Sequence, residues 1–230
     1  FGYQRFLDRM PAGQKEKLIE NEIAPRAIDR EVSTSLHMAH MGCSSLPEAL
    51  VKQSIRCGMA DGWGGSMMGT EFSDVLFGTP KPIDTEANLG VMVEENVNIV
   101  VHGHDPSLSE MICEYADSPE MIAYAKEMGA KGITVSGVCC TSNEVAMRRG
   151  VPMAGNFLQQ ENVVLTGACE AIVVDVQCIF PALGPLSKCF HTKFVTTSPI
   201  AQMPDSEFIR FNAETAGENA KAIVKMAIEN

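Results

Sequence analysis

This sequence of 230 residues lacks several features that would assign it quickly to a class. No apolar run approaches the roughly 20 residues that a membrane-spanning helix needs, and the first residues do not form a secretory signal. No basic stripe occurs, and the net charge is −11. Nucleic acids and anionic membranes attract basic surfaces, so this charge argues against both as partners. These absences predict a cytoplasmic protein without a membrane span.

Common short binding and catalytic motifs are also missing. There is no CxxC pair, which disfavours a compact zinc knuckle or a thioredoxin-like site. No GxGxxG segment follows a predicted strand, so a dinucleotide-binding loop is not supported. No GxSxG segment marks a serine-hydrolase elbow. The eight cysteines stand in a chain without a secretory signal and are therefore expected to be reduced thiols with packing or metal-binding roles.

Hydrophobic patterning divides the chain into two predicted parts. Residues 1–90 are interpreted as a helical segment and a connection, part of an incomplete domain. Helices are predicted over 14–20, 27–41 and 46–59, a break at the glycines of 62–65, and an irregular connection over 70–90. From residue 91 onward, short β-branched runs alternate with helical stretches. This alternation predicts an α/β domain over 91–230, a Rossmann-like parallel sheet with flanking helices.

Metal-binding side chains follow three of the predicted strands, which span 97–101, 132–136 and 171–176. His102 and His104 follow the first, Cys139 and Cys140 follow the second, and Cys178 follows the third. Carboxyl ends of parallel strands meet at one sheet edge, where α/β proteins bind ligands. Imidazole and thiolate suit zinc, copper, nickel and iron–sulfur centres. Adjacent cysteines rarely bind one ion together, so one of Cys139 and Cys140 is expected to flank the site.

Other candidate ligands are weaker. His37, His40 and Cys43 share a helical stripe, but the surrounding methionines are typical of a core face. The remaining cysteines lie in or beside helical patterns and are predicted to be buried: Cys57, Cys113, Cys169 and Cys189. Two alternatives stay open on the residues alone. One is a structural α/β domain without metal, and the other is a zinc hydrolase that uses His104, Cys140 and Cys178 with water.

Three segments carry a resemblance to a known family. They are VVHGHDP at 100–106, GVCCTSNEVAMRRG at 137–150 and DVQCIFP at 175–181. With these segments the sequence, from about residue 22 onward, resembles the middle of the anaerobic nickel-containing carbon monoxide dehydrogenases. The resemblance implies an oxidoreductase that interconverts CO and water with CO2, two protons and two electrons at a nickel–iron–sulfur cluster.

The resemblance also implies roles for individual residues. His104 and Cys140 would hold the iron that lies outside the cubane-like core of the cluster, and Cys178 would hold a core iron. His102 and Cys139 would flank the site without ligating. The remaining ligands and further 4Fe-4S clusters would come from segments that are not in this chain. The chain alone is therefore expected to be inactive towards CO.

Partners are implied by the same resemblance. They are the remaining domains of a longer chain, a second copy in a homodimer, acetyl-CoA synthase in some members, and a redox partner such as ferredoxin. The nearest alternative is a hybrid-cluster protein, which is hydroxylamine reductase-like. The pair Cys139 and Cys140, followed by TSNE, favours the dehydrogenases.

Overall fold

The computed structural model describes residues 5–230, apart from the side chain of Phe6. These residues form two compact units, and the division along the chain falls between Leu76 and Phe77. None of the described helices combines the length and the apolar character that a membrane span requires.

The first unit is helical. Its helices are Ala12–Glu20 (α1), Ile28–Ala39 (α2), Pro47–Asp61 (α3) and Met68–Phe77 (α4), with 3₁₀ turns at Arg5–Arg9 and His40–Gly42. Pro47 opens α3, where a missing backbone N–H leaves no hydrogen bond unmade. The predicted break at the glycines is wrong, because Gly62–Met67 forms a π-helical segment that leads directly into α4. Tertiary context here overrides the weak helix propensity of glycine.

A buried carboxylate joins α2 to α3 and to the chain that precedes α2. Glu31 is fully buried, and its carboxylate accepts hydrogen bonds from Nε and Nη2 of Arg26 at 2.6 and 2.8 Å. Gln53 on α3 donates to the same carboxylate at 2.9 Å. The hydrogen bond from Arg26 lowers the pKa of Glu31 to about 2, although burial acts in the opposite direction. The charged carboxylate therefore fixes the start of α2 against α3.

Replacing Glu31 with glutamine should lower the free energy of unfolding by about 1–3 kcal/mol at neutral pH, because Arg26 loses its charged acceptor. The folded pKa of Glu31 lies below its ordinary value of 4.5. Its contribution is therefore complete above about pH 4.5 and disappears as the pH falls towards 2. Urea unfolding of the wild type and E31Q across this range measures the difference.

The matched control is Glu22→Gln. Glu22 is exposed and pairs with Lys52 at 3.0 Å, so its loss should cost less than about 1 kcal/mol. A difference between the wild type and E31Q that stays constant from neutral to acid pH would contradict the role given to the Glu31 charge.

The second unit contains a parallel sheet. Its strands are Val97–Gly103 (β1), Ile133–Val138 (β2), Met153–Gly155 (β3), Ala171–Val174 (β4), Lys193–Thr196 (β5) and Glu207–Phe208 (β6). The strand order is β3-β2-β1-β4-β5-β6, and each pairing is parallel. The helices of this unit are Pro106–Ala116 (α5), Pro119–Glu127 (α6), Cys139–Arg149 (α7), Gln160–Leu165 (α8), Leu183–Ser187 (α9) and Ala216–Glu229 (α10). This order is that of the Rossmann fold, so the predicted fold class is confirmed.

Alternation along β1 builds a core on each face of the sheet. Ile99 and Val101 belong to one core with residues of α5, α6 and α10. Val100 belongs to the other core with residues of α8 and α9. All of β1 is buried, as expected for a central strand with helices on both faces. Side chains alternate along a strand, so His102 shares the face of Val100 and lies towards α8.

Two short strands were not predicted from the sequence pattern. β3 has three residues and β6 has two, which is too little chain for an alternating pattern to register. The segment between α4 and the sheet belongs to the second unit. Its backbone N–H groups at Lys81 and Asn88 donate to the carbonyl groups of Met147 and Met153. The compact unit thus begins before residue 91, and the proposed domain division at residue 90 stays a prediction.

Candidate metal centre

The candidate site lies at the carboxyl ends of β1, β2 and β4. β1 pairs with β2 on one side and with β4 on the other. The strand order therefore reverses direction at β1, with β2 and β3 to one side and β4 to β6 to the other. Open parallel sheets bind ligands in the crevice outside such a reversal. The residues that follow these three strands consequently share one crevice.

Three donor side chains converge in this crevice. One donor atom each from His104, Cys139 and Cys178 lies within 4.8 Å of the other two, and Sγ of Cys178 is 4.0 Å from Nε2 of His104. No second group of three or more histidine, cysteine or carboxylate ligands lies this close together within residues 5–230. Two thiols and an imidazole form a donor set that fits zinc, nickel or an iron–sulfur centre.

The backbone turns sharply at both cysteines of this group. Cys139 has φ of 69°, and Gln177 and Cys178 have φ of 64° and 57°. Non-glycine residues rarely adopt this left-handed conformation, which costs about 1–3 kcal/mol where the surrounding structure imposes it. The turn at Cys139 directly follows β2, and the turn at Cys178 lies four residues after the end of β4, so local backbone strain sets the direction of both thiols. Such strain is concentrated at functional sites.

Hydrogen bonding fixes the orientation and the tautomer of His104. Its Nδ1 lies 3.1 Å from the carbonyl oxygen of Val176. A carbonyl can only accept, so Nδ1 carries the hydrogen and the neutral ring keeps its lone pair on Nε2. Nε2 is the nitrogen that lies near Cys178. This arrangement is the usual one for a histidine that binds metal, in which one nitrogen donates to a supporting group and the other ligates.

Asp175 joins the loops that carry His104 and Cys178. Its carboxylate accepts hydrogen bonds from the backbone N–H of His104 at 2.6 Å and from that of Val176. Burial raises the pKa of Asp175 to about 7, while these backbone donors favour its charged form. Gly103 passes so close to the carboxylate that a Cβ there would lie 2.0 Å from Oδ1. Asp175 was not predicted, although a single carboxylate that ends an apolar strand was a visible signal.

The Cys139 thiol is protonated when no cation lies beside it. Burial raises its pKa to about 12. Thiolates rather than thiols bind metals, so an incoming ion must replace this proton. Metal binding at this group is therefore expected to release a proton and to strengthen as the pH rises.

The structure distributes the predicted site residues unevenly. His104 and Cys178 come together as expected, and the sulfur beside them belongs to Cys139. Cys140 is the next residue on α7; it is exposed and lies outside the group. His102 is fully buried, with Nε2 at 3.0 Å from Oε1 of Gln160. The role of Cys140 as a ligand, and those of His102 and Cys139 as flanking residues, stay predictions.

The weaker candidates behave differently from one another. His37, His40 and Cys43 do not form a donor group in the described part of the chain. Cys113 and Cys169 are buried as predicted, and burial raises the pKa of each thiol. The prediction is wrong for Cys189, which is exposed just after the short helix α9. The eight cysteines all lack disulfide partners.

The fold and the donor group together define an α/β segment with a candidate metal site. Residues 2–230 match the Prismane/CO dehydrogenase family. The chain belongs to this family, which confirms the resemblance seen in the sequence.

Individual relatives carry more specific names. The chain is 51% identical over 222 residues to carbon monoxide dehydrogenase 1 of Methanosarcina acetivorans, covering 96% of this chain and 35% of that protein. It is 45% identical over 217 residues to the carbon monoxide dehydrogenase/acetyl-CoA synthase subunit beta of Moorella thermoacetica, covering 94% of this chain and 32% of that one. The chain thus spans about a third of the length of these relatives.

Solved structures agree with this fold. A nickel-free crystal structure of carbon monoxide dehydrogenase from Thermococcus sp. AM4 superposes with a TM-score of 0.95 and 53% identity, over 99% of this chain and 36% of that one. A structure of acetyl-CoA synthase/carbon monoxide dehydrogenase, described with NiZn[Fe4S4] and NiNi[Fe4S4] clusters in its alpha subunits, gives a TM-score of 0.94 and 43% identity. It covers 99% of this chain and 34% of that one.

Gly103→Ala should disrupt the site through the Asp175 carboxylate. Gly103 has φ of 128°, and its added Cβ would overlap Oδ1 of Asp175. Gly129→Ala is the matched control, because Gly129 has φ of 106° with no atom within 4 Å of an added Cβ. Both variants strain the backbone, but G103A should lose about 1–3 kcal/mol more free energy of unfolding, since only it overpacks. Equal losses in urea unfolding would contradict the close approach to Asp175.

A cadmium titration of the chain should identify the cysteine that joins His104 and Cys178. Cys139→Ser should weaken Cd²⁺ binding by at least about 100-fold, because it removes a thiolate donor. Groups that only orient a metal ligand already contribute up to about 100-fold to the affinity. Cys140→Ser should leave the affinity close to that of the wild type, because Cys140 lies outside the donor group. The thiolate-to-cadmium absorbance band measures both. Loss of binding in C140S but not in C139S would favour the ligand assignment that the family resemblance implies.

Proposed function

We propose that this chain is the central segment of a nickel–iron–sulfur carbon monoxide dehydrogenase and supplies part of its catalytic cluster site. The observation that supports this most is the group formed by His104, Cys139 and Cys178, at the point where the strand order reverses. A donor set of this kind suits nickel and iron–sulfur chemistry. Two relatives that are each 51% identical to this chain over the aligned residues are named carbon monoxide dehydrogenase 1.

The cluster would supply the chemistry of the reaction, and this chain would hold the cluster in position. When bound, the cluster interconverts CO and water with CO2, two protons and two electrons. His104 offers Nε2 as a ligand because Val176 holds its Nδ1–H. Cys178 offers its thiolate from the adjoining loop. At the start of α7, Cys140 is the ligand that the family resemblance implies, whereas Cys139 is the cysteine that lies beside His104 and Cys178. His102 is a buried ring close to these donors, and burial lowers its pKa.

The site within this chain is incomplete. Three donors close together are fewer than a multi-metal cluster requires, and the chain spans about a third of its relatives' length. We therefore assign the remaining ligands, and the further 4Fe-4S clusters, to other domains of a longer chain. By itself the 230-residue chain should not turn over CO.

The reaction requires partners, because two electrons must leave for each CO oxidised. The proposal includes a homodimer, a redox partner such as ferredoxin, and a cytoplasmic location. Association with acetyl-CoA synthase is included because the related Moorella thermoacetica protein is named for both activities.

A zinc hydrolase is the second candidate, since two cysteines and one histidine leave the fourth position of a tetrahedral zinc open. Hydrolysis would need one colourless metal ion with its ligands complete in this chain. Carbon monoxide dehydrogenase needs nickel and iron with visible absorbance. The related hybrid-cluster chemistry would reduce hydroxylamine instead of oxidising CO.

Anaerobic metal analysis with visible absorption tests the proposal, on the 230-residue chain and on the longer chain from the same source. Nickel, iron and a brown colour with CO-dependent dye reduction are expected in the longer chain and should be lost or reduced in the shorter one. His104→Ala in the longer chain should abolish the activity, because it removes a ligand. Zinc as the sole metal, or hydroxylamine reduction without CO oxidation, would refute the proposal.

A further inference from the structure

Gln160 is fully buried at the start of α8 and uses its whole hydrogen-bonding capacity. Its Nε2 donates to the carbonyl oxygens of Phe157 at 2.6 Å and Cys178 at 2.9 Å. Its Oε1 accepts from the backbone N–H of Phe180 at 2.8 Å and lies 3.0 Å from Nε2 of His102. An amide offers two hydrogens and two lone pairs, and all four are engaged here.

These contacts determine which way the amide faces. Phe157 and Cys178 present carbonyl oxygens, which only accept, and Phe180 presents an N–H, which only donates. The nitrogen of the Gln160 amide must face the carbonyls and its oxygen must face the N–H. The contact between Oε1 and His102 therefore requires that His102 donates from Nε2.

The tautomer of His102 follows from this orientation. A hydrogen on Nε2 of the neutral ring leaves the lone pair on Nδ1. Nδ1 is buried and has no hydrogen-bond partner among the described residues. The contact with Gln160 thus places a hydrogen on Nε2 of His102, two residues before His104 in the chain.

The same amide braces the left-handed turn at Cys178. Gln160 bonds to the carbonyl of Cys178 and to the N–H of Phe180, two residues further on. The rings of Phe157 and Phe180 meet edge to face, with centroids 6.3 Å apart, and close the turn from outside. The backbone at Cys178, with φ of 57°, is otherwise unfavourable for a residue with a side chain.

We infer that Gln160 is a positioning residue of the metal centre, which holds Cys178 in its left-handed turn and His102 as the Nε2–H tautomer. This inference rests on the proposed metal-binding role of the crevice. Gln160 does not reach the donor group and acts only through the backbone of Cys178 and the ring of His102. Outer groups that orient metal ligands typically contribute about 10- to 100-fold to metal affinity.

The test is a cadmium titration of the 230-residue chain with Gln160→Met, in which methionine keeps the length of glutamine but none of its hydrogen bonds. Cd²⁺ affinity should fall roughly 10- to 100-fold, the range typical of groups that orient metal ligands. Cys178→Ala supplies the baseline for cadmium that binds elsewhere. Gln160→Glu keeps the Oε1 acceptor but places a second acceptor against the carbonyl oxygens of Phe157 and Cys178, so its loss should be at least as large as that of Q160M.

Asn98→Leu is the matched control for lost stability. Asn98 is also a buried amide, with hydrogen bonds to the N–H and C=O of Val93 and to the C=O of Asn96, but it lies at the amino end of β1. N98L should lower the melting temperature without changing the Cd²⁺ affinity of the folded chain. Equal affinity losses in N98L and Q160M, or none in Q160M, would overturn the inference.

Nitrogen NMR of the His102 ring gives a readout that needs no metal. The wild type should show a hydrogen on Nε2, and Q160M should lose that preference. If Q160M and Q160E both fail to fold, His102 protonated on Nδ1 in the wild type would still overturn the inference. Absence of nickel and iron from the longer chain would refute the proposed function, whereas the cadmium and NMR results decide the role of Gln160.

Discussion

The parallel pairing of β1 with both β2 and β4 is the constraint on which the site depends. Each pairing fixes where a strand ends, and the three ends carry the histidine and the two cysteines of the donor group. β1 is buried along its whole length, so the two cores hold its register as well as its position. The side-chain period of a strand is two residues, and a slip of one residue would turn every side chain to the opposite face. The position of the donor group in the crevice therefore depends on the hydrophobic alternation along β1.

Precision at the donor group is obtained at a cost in local stability. Cys139 and Cys178 both occupy left-handed backbone, and Cys139 holds a thiol whose pKa is raised by burial. Hydrogen bonds of buried polar groups offset part of this cost. Asp175 accepts hydrogen bonds from the backbone N–H groups of His104 and Val176, and Gln160 donates a hydrogen bond to the carbonyl of Cys178. The crevice therefore has a rigid floor of hydrogen bonds beneath ligands that remain accessible to solvent.

The sequence pattern predicted the larger part of this site, but it did not predict the residues that support the donor group. Four strands and the convergence of His104 and Cys178 follow from β-branched runs and from what comes after them. The short strands β3 and β6 carry no usable pattern, and the π-helical Gly62–Met67 contradicts the usual behaviour of glycine. Which of Cys139 and Cys140 lies beside His104 and Cys178 depends on the backbone at the start of α7, which periodicity does not encode. Asp175 and Gln160 are ordinary polar residues in the sequence, and only the folded contacts distinguish them.

The spacing of the donors has a consequence for the order of assembly. His104, Cys139 and Cys178 are separated along the chain by complete strand–helix units, so no local peptide contains more than one member of the group. A metal ion cannot nucleate this fold in the way that zinc nucleates a finger, because its ligands meet only after β1, β2 and β4 have paired. For a metal ion held by this group, folding would come first and binding second.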